Sequence, residues 1–145
     1  MTTHTIVTRI VPDSALLYWS ATVLVAAELV VGGWWDIART SNVREVIVHL
    51  GYPTYFLVIL GVWKLLGAAA LLLPRFPLVK EWAYAGALFV YTGAVASHLT
   101  TGYKLIEVPI LTVMAALTVI SWASRPADRR IGSGRPGRSD NSANT

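Results

Sequence analysis

The sequence contains no cysteine. That excludes disulfides, thiolate metal sites, iron–sulfur clusters and covalently attached c-type haem. Any redox chemistry has to rely on a diffusible or non-covalent partner. Histidine is scarce, and His4, His49 and His98 are scattered over tail, loop and helix, so no metal site and no bis-histidine haem is expected. Glycine-rich phosphate loops, nucleotide fingerprints and nucleophile–base motifs are absent, and no catalytic residue is assigned. Charge is also sparse, at 14% of the 145 residues. A soluble domain of this size needs far more polar surface to cover its core.

What is present is apolar and arrives in blocks. Hydrophobic residues make up 54% of the chain and the mean hydropathy is +0.55. The length allows one domain. Four segments read as membrane spans: residues 14–34, opened by Pro12-Asp13-Ser14; 54–73, stopped by Pro74; 81–100, ended by Gly102; and 105–124, before Arg125-Pro126. Each is roughly 20 residues, which at about 1.5 Å per residue matches a hydrocarbon core of about 30 Å. The first block has only Arg9 ahead of it, carries Glu28 and lacks a small-residue cleavage site, so it reads as a retained helix rather than a signal peptide. The expected fold is an all-α membrane protein, a four-helix transmembrane bundle over residues 14–124, with an N-terminal segment 1–13 and a basic tail 125–145 expected to be disordered.

The net charge of +4 is no nucleic-acid signal, because five of the twelve Lys and Arg residues follow residue 124, where a cytoplasmic flank is expected to be basic. Arg9, Arg75, Lys80 and the five tail arginines lie on one side of the four spans, against Arg39, Arg44 and Lys104 on the other. The excess puts both termini in the cytoplasm, in a multi-pass protein of the cell membrane. Within the first loop, residues 35–53, Val43, Val46, Ile47 and Leu50 form one apolar helical stripe. Asn42 with Glu45 resembles a capping box. A short helix in the outer interface is expected there, as a connector or as a lid.

Ionisable groups inside spans cost about 2.5–3.5 kcal/mol each at the helix centre, and tend to be paired or functional. The candidates are Glu28, Lys64, His98 and Glu107. At about 1.5 Å per residue, Glu28 lies about 9 Å and Lys64 about 15 Å below the outer ends of their spans, and His98 and Glu107 within about one turn of theirs. Glu28 and Lys64 are expected to pair, because a lone charge in low dielectric is costly; the pair serves either helix register or chemistry. Gly61, Gly67 and Ala68 form a small-residue stripe beside Lys64 that suits close helix contact. In the third span Tyr84, Ala87, Tyr91, Ala94 and His98 share a face, which suits a hydrogen-bonding pocket or interhelical bonds equally. Glu107 suits a helix's first turn without any chemistry, and Glu81 takes the same discount.

The ordered series Gly51-Tyr52-Pro53, Leu60-Gly61-Val62-Trp63-Lys64-Leu65-Leu66-Gly67, Lys80-Glu81-Trp82-Ala83-Tyr84-Ala85-Gly86, Gly93-Ala94 and Ser97-His98 resembles the DoxX-like family of small four-helix membrane proteins. Glu28 followed by Gly32-Gly33 fits the same pattern. The resemblance covers roughly residues 14–124. It implies likeness to subunits associated with thiosulfate:quinone oxidoreduction and with membrane oxidative-stress complexes, so the first expectation is an accessory subunit of a quinone-linked redox system with a quinone as its ligand. The alternative is a non-catalytic assembly or scaffolding subunit. A small-molecule or proton carrier ranks third, because broken helices and inverted repeats are not visible. Expected partners are the lipid bilayer and other membrane or redox proteins, or further copies of the chain.

Overall fold

The computed structural model describes residues 14–126 and Arg129; the expectations for segment 1–13 and for most of the 125–145 tail lie outside the described residues. Among those described, the chain is all-helical. Five α-helices follow in order, α1 Ser14–Ala38, α2 Ser41–His49, α3 Phe56–Leu72, α4 Pro77–Thr101 and α5 Val108–Ala123, with a short 3-10 turn Leu105–Glu107 before α5. By length and composition, α1 and the run Leu105–Ala123 are long and apolar enough to cross a membrane, and α3 is a shorter apolar helix.

Two helices run past the ends that hydropathy gives them, α1 at its C-terminus and α4 at its N-terminus. The pair Gly32-Gly33 does not break α1, which runs on to Ala38 and carries Asp36 inside it. Pro77 opens α4 from its first turn, where a missing N–H costs nothing, so the helix begins four residues before Glu81. Gly102 closes it in the left-handed conformation at φ 67° and returns its N–H to the His98 carbonyl at 2.9 Å, as a helix C-terminus favours.

The four long helices pack in a ring, α1 against α3 and α5, and α4 against α3 and α5. Their shared core is Val25, Leu29, Ala68, Leu71, Tyr84, Ala87 and Tyr91. The small α2 sits at the α1–α3 end and turns Ile47 inward, with Val43, Val46 and Leu50 half-buried. The Asn42–Glu45 capping box does not form: Asn42 is already inside α2, Thr40 is the N-cap, and no side chain caps the helix. Closest approach is between α1 and α3. A Cβ added at Gly61 would lie 2.5 Å from the Gly33 carbonyl oxygen and 2.7 Å from Ile37 Cγ1. Gly67, expected in the same stripe, has only Leu29 Cδ1 at 3.9 Å from such a Cβ, so the tight contact is local to Gly33 and Gly61.

The outward faces are apolar. Leu24 and Val31 on α1, Ile59 and Trp63 on α3, Phe89 on α4 and Ile110 and Val113 on α5 are all exposed. Apolar exterior on this scale calls for a covering phase.

Candidate functional site

Glu28, Gly32 and Asp36 recur at four-residue steps on α1, so they share one face. The Gly33–Gly61 contact brings that face against α3 beside Lys64. Lys64 Nζ lies 3.2 Å from Asp36 Oδ2 and 3.8 Å from Glu28 Oε1. From α4, the Tyr91 hydroxyl donates to Glu28 Oε2. Four side chains from three helices therefore form one connected group. Asp36 was missed by sequence reasoning because hydropathy ends the span at Trp34; its spacing of eight from Glu28 was the available signal.

The room for this group comes from Gly32. A Cβ there would approach Glu28 Oε1 to 2.8 Å and Lys64 Nζ to 3.0 Å. Burial across the group is uneven: the side chains of Asp36, Lys64 and Glu28 keep 6%, 12% and 32% of their surface accessible. Asp36 is buried, and its Oδ2 faces the Lys64 ammonium at 3.2 Å.

His98 and Glu107 come together separately. His98 is buried; its Nδ1 donates to the Tyr103 carbonyl at 2.7 Å, and its Nε2 lies 3.6 Å from Glu107 Oε2. The Tyr103 ring stacks on His49 of α2 at 4.4 Å between centroids, and its hydroxyl donates to Glu45 Oε1 at 2.5 Å. The bond to Glu45 pushes Tyr103 up to about 12, and it holds the Glu45 carboxyl below its ordinary value with help from the Lys104 ammonium.

Tyr84 belongs to a third group at the opposite end. Thr22 Oγ1 donates to the Tyr18 carbonyl at 2.7 Å, so the 2.6 Å contact with Ser121 is donated by Ser121. The 2.8 Å contact between Tyr84 and Ser121 is then donated by Tyr84. Nearby, Glu81 accepts from Trp122 Nε1 at 2.8 Å and pairs with Arg125 at 2.7 Å. Lys80, read from sequence as a loop cation, is 1% exposed. It donates to the carbonyls of Ala70, Leu71 and Leu73, which α3 leaves unpaired at its C-terminus.

The shared face expected in the third span thus divides: Tyr91 joins Glu28 and Lys64, His98 joins Glu107, and Tyr84 joins Ser121. A cleft of about 300 Å³ lies between α4 and α5, lined by Glu81, Tyr84, Ala85, Leu88, Thr118, Val119 and Trp122; it does not include Lys64 or His98. Among the described residues no three His, Asp or Glu side chains stand close enough to hold a metal ion.

The DoxX-like family model matches residues 20–123, and the chain belongs to that family of membrane proteins. No curated protein and no solved structure matches the chain.

Proposed function

We propose that this member of the DoxX-like family crosses the bilayer four times, with both ends in the cytoplasm, and serves as an accessory subunit of a quinone-linked membrane redox system. Its working centre is the group Glu28, Lys64, Asp36 and Tyr91. Apolar outward faces on all four long helices support the four spans. So do exposed aromatics at both ends: Trp19, Phe76, Trp82 and Trp122 at one, Trp34, Trp35 and Tyr55 at the other, as membrane interfaces favour. The 17 residues of α3 span about 25 Å, a shortfall that a bilayer absorbs by local thinning. The loop holding Arg75 is then cytoplasmic and α2 lies in the outer interface.

One observation carries the functional reading: a partly accessible carboxylate, Glu28, is held by a phenol and an ammonium deep in an apolar bundle. A quinone needs donors to its carbonyls and a source of protons. Tyr91, Lys64 and Glu28 supply those chemical types at one place. The redox assignment itself rests on family likeness.

The test is purification of the full-length protein in mild detergent, followed by mass spectrometry of what it retains. Quinone retained by the wild type and lost from Glu28→Gln and Lys64→Met, with both variants folded, is the expected result. Absence of quinone from all three proteins contradicts the redox reading.

A second reading, an assembly or scaffolding subunit, is favoured by the way the same group ties α1, α3 and α4 together. On that reading the group fixes helix register and the exposed faces do the work. A defined membrane partner would then co-purify, lost on substitution of Phe89 or Ile110 and kept in Glu28→Gln.

A further inference from the structure

The centre on α1 and α3 has an odd charge count. Two carboxylates, Glu28 and Asp36, stand within 4 Å of one ammonium, Lys64. Tyr91, the fourth member, is a neutral donor. The charges acting on Asp36 are those of Lys64 and Glu28, Arg39 beyond the end of α1 is exposed, and α5 carries no ionisable side chain. With both acids ionised, the group holds one uncompensated negative charge in low dielectric, an arrangement that buried ion pairs tolerate poorly.

We infer that the centre is a proton-exchange site: it binds one proton beyond those of Lys64 and Tyr91, shared between Glu28 and Asp36. Three geometric features fit that use. Glu28 is the accessible member, at 32% of its side-chain surface, and Asp36 the buried one, at 6%. Lys64 lies between them at 3.2 and 3.8 Å, so a small swing of its ammonium pairs it with whichever acid is ionised. Asp36 Oδ2 has the Lys64 ammonium as its partner at 3.2 Å, which it loses when Lys64 swings to Glu28, and a neutral carboxyl tolerates that loss better than a carboxylate. A proton taken from water binds the carboxylate that Lys64 leaves unpaired and is released to water when Lys64 returns to that acid. No electron moves and no bond other than O–H forms or breaks.

Toward the far side the path is interrupted. Tyr91 and Tyr84 are embedded in one apolar cluster with Val25, Leu29, Ala68, Leu71 and Ala87, and among the described residues no hydrogen bond joins Tyr91 to the Tyr84–Ser121–Thr22 chain. At seven residues along α4, the two phenols are about 10 Å apart along the helix. The centre therefore loads and unloads from one side and leaves the bundle closed to through-flow. This inference needs no quinone and stands or falls apart from the redox reading.

Infrared spectroscopy of the full-length protein in lipid vesicles at neutral pH tests it, through the carbonyl stretch of protonated carboxyl groups. The expected wild-type signal corresponds to one carboxyl and shifts in D2O. It disappears in Glu28→Gln and in Asp36→Asn, because the remaining acid pairs one-to-one with Lys64. In Lys64→Met it doubles, because both acids then need a proton. A wild type without the signal overturns the inference, as does its survival in either single acid variant. If Lys64→Met does not fold, the wild type and the two acid variants decide.

Discussion

Gly61 sets the spacing on which the ionic centre depends. An alanine there would drive its Cβ into the Gly33 carbonyl at 2.5 Å and the Ile37 backbone nitrogen at 3.0 Å, and backbone atoms cannot step aside as side-chain ends do. Gly61→Ala is expected to lower stability by about 1–3 kcal/mol, the usual cost of overpacking. Gly67→Ala, with its nearest neighbour at 3.9 Å, should be neutral or slightly stabilising. Thermal unfolding in detergent compares the two; equal losses would contradict the assigned contact. At this scale the sequence was informative about residue type and less so about partner. Glu28 and Lys64 stand out because charge is rare in apolar runs, and their pairing follows from similar depth. Asp36 and Lys80 were hidden by the same rule, since each lies just outside an apolar window and hydropathy gives such residues to a loop. Only the helical phase of Asp36 relative to Glu28 links it to the centre.

Among elements, α2 is tied to the rest of the bundle by polar side chains as well as by its apolar stripe. Its apolar stripe faces the bundle, and Glu45 and His49 clasp Tyr103 in the loop after α4. Glu45 titrates lower in the folded chain than its ordinary 4.5, so the clasp is at full strength above that value and weakens as pH falls through the lower one. Tyr103 titrates higher than its ordinary 10.0, at about 12, so its contribution is complete below 10.0 and is lost as pH rises through about 12. Hydrogen-exchange protection of α2 is expected to be level through neutral pH and to drop under acid conditions. Tyr103→Phe keeps the ring on His49 but loses the bond, and should show the reduced protection already at neutral pH. Protection in that variant equal to wild type would leave the clasp without effect. The stripe in α2 was legible because apolar spacing needs no partner to be recognised. The clasp was not, because nothing local in Glu45 points to a loop 58 residues away, and local pattern offered the capping box instead.

At the scale of the whole molecule, the polar interior holds three groups at successive levels of the bundle: Tyr84 with Ser121 at one end, the Glu28–Lys64 centre, and His98 with Glu107 toward the other end. That arrangement explains why residues sharing one face of α4 serve three different clusters: a face 25 residues long crosses all three levels. Sequence periodicity identifies the face and gives no measure of what meets it at each level, since α1, α3 and α5 supply the partners. The four apolar blocks located the four long helices for the same reason that α2 was legible, and the errors fell at helix ends, where polar residues such as Asp36 and Lys80 lie outside the apolar window.

In the proposed topology the long helices form four membrane spans with the ionic centre toward the outer side. The natural chain has no cysteine, so single cysteines report position directly. Val48→Cys in α2 and Arg75→Cys between α3 and α4, both at exposed positions, should be treated in intact cells with a membrane-impermeant thiol reagent. Labelling of Val48→Cys without permeabilisation, and of Arg75→Cys only after it, is the result expected. Labelling of both from the same side would contradict the account.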